Sequence, residues 1–343
     1  MTDISRRSFN QAIGSLALAA GPAAWACSAA TAPNDAAATA ASAGAAPAQP
    51  AAAPQAEALG GAPAGATQAA TARVPLGRSG LTVPRLAMGT GSNGWARESD
   101  QTRLGEREFV KLMRHGAERG AQFIDAADLY GSHPFVKATF RELDRDRVTL
   151  LTKIWFTPAK NMTPTETAKP EVERFRQELG VDQLDIVLVH CVTDPAWPKQ
   201  QARMRDELSD LKARGVVRAV GCSCHSHAAL RVAAEDPWVE VIFARINPGR
   251  KRMDDDASVE QVADTLRLAR ANGKGVVGMK IYGAGDWTSP EQRRASLDYA
   301  LHGGLVDGMT IGHVSAAQFD DTVANIEAVL KASPRAATTV SAG

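Results

Sequence analysis

Aromatic residues are scarce in this chain. They make up 5% of its 343 residues, and only three are tyrosines, so a tyrosine beside a polar strand end needs a reason. No sign of charge dominates either. The 39 basic and 38 acidic residues leave a formal net charge of +1, which removes the basic footprint expected of a nucleic-acid-binding surface. Beyond the N-terminal segment, no apolar run reaches the roughly 20 residues needed to span a bilayer. What is plentiful is aliphatic side chains, enough for a large core, and the length fits one large domain or two average ones.

The first residues read as an address and not as fold. "SRRSFNQAIG" (5–14) places Arg6 and Arg7 ahead of the mildly apolar "SLALAAGPAAWA" (15–26). This resembles a twin-arginine export signal, with Ala24-Trp25-Ala26 as the cleavage pattern. The expectation is a signal peptide over 1–26, export machinery of that type as a partner, and a periplasmic or exported protein. Cys27 is the alternative as a lipid-bearing residue, although Ala24 stands where a lipobox has Leu. Residues 27–72 are rich in Ala interrupted by Pro and Gly, a composition that buries little, and are expected to be a disordered linker. A flexible tail is expected over 336–343.

From Val74 the texture changes. "VPLGRSGLTVPRLAMGTG" (74–91) predicts a short hairpin with Gly80 at its turn, leading into a strand. Eight apolar strand candidates follow: 86–90, 122–125, 148–153, 184–190, 216–223, 239–246, 275–280 and 307–312. Amphipathic helical stretches such as 107–120, 205–215, 259–273 and 318–332 lie between them, several ending in Gly, the usual left-handed helix stop. Strands buried on both faces and joined by helices imply parallel crossovers. Eight such units predict an α/β fold, a single-domain (β/α)8 TIM barrel over 73–335. No Gly-x-Gly-x-x-Gly follows the first strand, which argues against an open dinucleotide-binding sheet.

In such a barrel chemistry sits at the carboxyl ends of the strands. Those ends carry Asp125, Lys153 and His190, with Tyr130 in the loop "FIDAADLYGSH" (123–133). Taken singly, each has an ordinary explanation: an Asp capping a turn, a Lys reaching out of the mouth, a satisfied core imidazole. Jointly they are hard to explain as core filling, because unpaired buried charge is costly.

The stretch from about Val74 to Leu330 resembles the aldo-keto reductase family. The resemblance rests on "LGRSGLTVPRLAMGTG", "FIDAADLYG", "LLTK", "LGVDQLDIVLVH" and "GVVRAVGCS". It implies an NAD(P)-dependent oxidoreductase that reduces an aldehyde or ketone to an alcohol, or the reverse. The implied catalytic residues are Tyr130 as proton donor, Lys153 to stabilise the phenolate, Asp125 to hold that lysine, and His190 to orient the carbonyl. The resemblance further implies cofactor contacts at Gly89, Thr90, Ser223, Cys224, Lys280, Gly312, Gln318 and Asp321, and no metal. Several positions depart from the family pattern. Cys224 replaces an Asn, Phe243 a Gln, and Met279 an aromatic residue. Gly312 and Gln318 replace the Lys and Arg that hold a 2′-phosphate, while Asp321 keeps the acidic position. NADP(H) is expected ahead of NAD(H), and the partner is a small carbonyl compound.

Two other readings belong beside this one. A barrel with its nucleotide site eroded at Cys224, Phe243, Gly312 and Gln318 would be a binding or sensor protein without turnover. A metal-dependent hydrolase on the same fold would need more ligands than Asp125, Lys153 and His190 provide. Cys222, Cys224, His225 and His227 cluster within six residues, as metal ligands do. Two cysteines two apart on one strand share a face, however, and resist pairing across an extended backbone, so packing is expected of them and a place in the mouth loop of the two histidines. Trp95, Trp155 and Trp197, on long mouth loops, are expected either to line an apolar substrate pocket or to pack the rim.

Overall fold

The computed structural model describes residues 69–160, 162–253 and 256–332; the predicted signal peptide, most of the linker and the tail lie outside them. A hairpin comes first. Its strands β1 (Arg73–Pro75) and β2 (Thr82–Pro84) pair antiparallel, with Val74 opposite Val83. Gly77 and Gly80 take positive φ between them, conformations that favour glycine.

Eight parallel strands then close a barrel. They are β3 (Leu86–Gly89), β4 (Phe123–Asp125), β5 (Thr149–Ile154), β6 (Leu184–Val192), β7 (Val217–Cys224), β8 (Val241–Arg245), β9 (Gly275–Met279) and β10 (Gly308–Gly312), with β10 pairing β3 to complete the ring. Every expected strand is present. β6, the fourth of them, runs two residues past His190, and its register with β7 shifts between Val189 and Val192, where Cys191 has φ 61°. Helices over Glu106–Glu118, His133–Thr139, Lys169–Leu179, Ala202–Ala213, His227–Glu235, Val259–Ala271, Pro290–His302 and Ala316–Lys331 cover the outside. None is long and apolar enough to cross a membrane among the described residues.

The period-two pleat sorts side chains into two cores. Residues facing outward, such as Ile124, Leu150, Val187 and Cys222, meet the helices in the larger one. Ala87, Phe123, Leu151, Ile186, Leu188, Ala219, Val241, Phe243 and Val277 face inward and fill the barrel, together with Leu76, Leu81 and Val83 of the hairpin. The hairpin is therefore a plug at the amino-terminal end of the barrel. Residues 69–72 are held against the fold, with Ala70 fully buried, Thr71 Oγ1 donating to the Arg119 carbonyl and Arg85 donating to the Ala69 carbonyl.

Candidate active site

The inward parity that places Phe123 and Leu151 in the barrel core places Asp125 and Lys153, two residues on, above them. There they meet. The Lys153 ammonium donates to Asp125 Oδ1 and to the Ala126 carbonyl at 3.0 Å. Thr310 on β10 donates to Asp125 Oδ2 at 2.8 Å. Both side chains are nearly solvent-free, a placement tolerable only because the charges are paired and hydrogen-bonded. Burial pulls the Lys153 ammonium below the usual lysine value and Asp125 opposes the shift.

Tyr130 ends a 3-10 turn, Asp128–Tyr130, that leaves β4. Gly131 closes the turn at φ 63°, and a Cβ there would lie 2.0 Å from the Arg97 carbonyl oxygen. Ion pairs from Asp128 to Arg97 and Arg174 tie the turn down. The phenol ring lies against glycine: a Cβ on Gly91 would sit 2.3 Å from it, and one on Gly94 2.6 Å. The Lys153 ammonium lies 4.7 Å from the ring centroid, and the Tyr130 hydroxyl 3.5 Å from His190 Nε2. Asp125, Tyr130, Lys153 and His190 thus converge as the sequence predicts.

Their protonation states are set mainly by burial. It pushes the Tyr130 phenol well above its usual value, and the Asp125 carboxylate adds to that. The Lys153 ammonium, beside the ring, is hydrogen-bonded to Asp125. Burial, with the charges of Lys153 and Lys280 behind it, holds His190 well below the usual imidazole value. Tyr130 is therefore a neutral phenol and His190 a neutral ring. Trp155 packs edge-on to His190 at 5.3 Å between centroids, while His190 Nδ1 is buried without a hydrogen-bond partner.

Asp125, Tyr130 and Lys153 open into a cleft of about 290 Å³ that continues between the ends of β3, β9 and β10. Phe243 and Met279 give it apolar walls, Lys280 and Arg293 cationic ones. Backbone comes close on two sides: a Cβ on Gly312 would lie 2.1 Å from Ser92 Oγ, and one on Gly89 2.9 Å from Thr310 Oγ1. Trp287 Nε1 is buried there without a partner. A flat ring beside apolar walls and phosphates near two cations fit such a slot.

A family model described as the aldo/keto reductase family matches residues 85–333, a span that holds all eight barrel strands. The chain belongs to the aldo/keto reductase family. It is 26% identical over 223 residues to an NADH-specific methylglyoxal reductase of Escherichia coli strain K12, a match covering 59% of this chain and 64% of that protein. This chain therefore spans just under two thirds of that relative's length. Among solved structures, a Pseudomonas aeruginosa protein assigned to the aldo-keto reductases is 20% identical, with a TM-score of 0.63 over 78% of this chain and 99% of its own. A Bombyx mori aldo-keto reductase in complex with NADP is 15% identical, with a TM-score of 0.54 over 75% of this chain and 92% of its own. At those identities the likeness is one of fold.

Of the cofactor positions implied by this aldo/keto reductase pattern, Gly89, Lys280, Gly312 and Gln318 line the cleft. Gln318 Oε1 also accepts from the Val314 backbone. Ser223 faces inward, but its Oγ accepts from the Cys191 N–H at 2.8 Å and lies outside that lining. Cys224 is a correction. The pleat turns it outward into the helical core, its sulfur 3.6 Å from that of Cys222. Thr90 is buried under the rim, its hydroxyl donating to the Asp125 carbonyl and hydrogen-bonded to the Ser132 hydroxyl, and Asp321 pairs with Arg293 on the adjoining helix. The cysteine–histidine cluster disperses. His225 meets Arg245 and His227 meets Thr265, and no group of metal-ligand type forms among the described residues. Trp95 and Trp155 meet edge-to-face at the mouth, whereas Trp197 is buried against Trp238 and Arg205. Sequence reasoning missed Gly91, Thr310, Arg245 and Gln101. The last ties the first mouth loop to β10 by accepting from the Ser92 N–H and donating to the His313 carbonyl.

Proposed function

We propose that this barrel is an NAD(P)H-dependent reductase that converts an aldehyde or ketone to an alcohol, or runs the reverse, with Tyr130 as proton donor. The observation that carries the reading is the position of the Tyr130 hydroxyl. It lies 3.5 Å from His190 Nε2, next to the Lys153–Asp125 pair, in one cleft with Phe243 and Met279.

A bound nicotinamide supplies the hydride. The carbonyl oxygen gains negative charge as the hydride arrives and needs a donor already in place. His190, neutral, directs Nε2 at that oxygen and fixes its position. Tyr130, held protonated by burial, gives up its proton to it. The phenolate left behind is stabilised by the Lys153 ammonium beside the ring, and Asp125 keeps that ammonium charged and in place. The buried setting strengthens each of these interactions relative to water.

The name of the Escherichia coli relative, an NADH-specific methylglyoxal reductase, supports a small carbonyl substrate. Either dinucleotide remains in the proposal, since Gly312 and Gln318 bring no charge to a 2′-phosphate and Arg293 is engaged by Asp321. Export by the twin-arginine route is likewise proposed on the sequence of residues 1–26, and implies a cofactor loaded before the folded protein leaves the cytoplasm.

Titration of the protein with NADPH and NADH, read by tryptophan fluorescence, tests the reading together with turnover of small aldehydes. Binding of either nucleotide, and turnover lost in Tyr130→Phe, are the expected results. Binding of neither would leave the barrel as a binding protein.

A further inference from the structure

Two lysines line the cleft, and the fold holds them differently. Lys153 is committed: its ammonium is paired with Asp125 and donates to the Ala126 carbonyl. Lys280, the residue after β9, lines the same cleft as Tyr130. Among the described residues its ammonium makes neither a hydrogen bond nor an ion pair.

Its backbone, by contrast, is pinned. Lys280 takes φ 60°, a conformation that a lysine rarely adopts unless its surroundings impose it. Its carbonyl accepts from Asn247 Nδ2 at 3.0 Å and from the Gly283 N–H at 2.8 Å, and Asn247 is fully buried. The amine is therefore placed by the backbone and not by a counter-charge. It is placed towards the tetrad: its charge acts on His190, and the Asp125 carboxylate acts on it. Burial, with the charges of Arg245 and Arg252 behind it, pulls this amine down to about 8. Desolvation and neighbouring cations are the means by which a lysine becomes a nucleophile near neutral pH.

We propose that Lys280 is a carbonyl-capture site, which condenses with small aldehydes entering the cleft and holds them as imines on the nucleotide-free barrel. The electrophile is a carbonyl carbon beside Tyr130 and His190. The Nζ lone pair adds to it, one N–H proton passes to the oxygen, and a carbinolamine forms. The second N–H proton then leaves with the hydroxyl as water, and the imine remains. No oxidation state changes, so no further reactant is needed. Lys153, kept charged by Asp125, has no lone pair to offer. A dinucleotide phosphate beside Lys280 would hold its ammonium charged and so oppose capture. The inference rests on the reductase reading for the entry of an aldehyde, and on the placing of Lys280 for its capture; it needs no hydride.

Reductive trapping tests it. The full chain, without nucleotide, is incubated with acetaldehyde and cyanoborohydride at pH 7, and N-ethylation of each lysine is timed by peptide mass. Lys280 should be labelled roughly tenfold or more faster than the exposed Lys111 and Lys199, because an amine at about 8 is unprotonated far more often than one at about 10.4. Lys153 should stay unlabelled over the same interval. The fast phase should disappear in urea, and in Lys280→Arg, which keeps the charge but forms no imine with this aldehyde. Labelling of Lys280 no faster than of Lys111 and Lys199, or equal labelling of Lys153, would overturn the capture site. A fast phase that survives in urea or in Lys280→Arg would do the same. Turnover of acetaldehyde with NADPH and NADH is measured alongside. Label without turnover counts against the reductase reading and leaves capture standing, whereas turnover without label rejects capture alone.

Discussion

The Lys153 ammonium lies 4.7 Å from the centroid of the Tyr130 ring while it is hydrogen-bonded to Asp125. In the resting barrel the lysine is therefore the carboxylate's partner first, and the phenol stays neutral. Its charge becomes useful to Tyr130 when the proton has gone.

That order makes Tyr130→Phe a clean variant. It removes the proton donor and leaves the ring, the ion pair and the cleft in place. The expected loss in kcat is about 10²- to 10⁴-fold, the usual share of a positioned general acid, with nucleotide affinity unchanged. Steady-state kinetics alongside fluorescence titration check it; full activity would remove Tyr130 from the chemistry.

Asp125→Asn attacks the pair from the other side. Lys153 would remain buried without its counter-charge, and breaking such a pair costs roughly 3–5 kcal/mol. Urea unfolding should show a lower midpoint than in the wild type. A variant as stable as its parent would mean that water reaches Lys153.

Gly91→Ala tests positioning without touching a functional group. The added methyl would lie 2.3 Å from the Tyr130 ring, and the ring, at the edge of a cleft, is what can yield. Because about 1 Å of misplacement can cost roughly 10²-fold in rate, kcat should fall sharply while the thermal midpoint changes little.

Acid should destabilise the fold through its neutral histidines. Burial holds His313 down at about 4, with Nε2 against Thr322 Oγ1 at 3.0 Å. An unfolded histidine titrates near 6.5, so between those values the unfolded chain binds the extra proton. Stability is then fully present above about pH 6.5 and is lost as pH falls toward 4, by about 3 kcal/mol at about 1.4 kcal/mol per unit. Urea midpoints at pH 7.5, 6 and 5 should decline, and His313→Gln should decline less. A parallel decline in both would assign the effect to His190 and His225, which burial also holds neutral.

The barrel was legible in the sequence because strand runs and helical periodicity alternate eight times, and local pattern alone fixes that alternation. The tetrad was legible for a related reason: a charged residue ending a buried strand has no ordinary core explanation. The same logic applied to Arg245, but "VEVIFARI" was read to Ile246, which hid the arginine one residue inside the run. Cys224 misled because alignment with an Asn says nothing of the pleat, and the pleat sends it to the helices. The state of Tyr130 was also out of reach, since it depends on whether burial or the lysine prevails, and that needs the Asp125 contact. Gly91 left no signal, as only the folded ring shows what a methyl would strike.

The hairpin plug gives the molecule a floor. With Leu76, Leu81 and Val83 packed into the amino-terminal end, the barrel is a blind well with one opening. Whatever reaches Tyr130 must arrive past the rim loops and leave the same way, against incoming traffic. A change at the floor alters only how firmly the well holds together, whereas a change at the rim alters what enters and how soon the product clears.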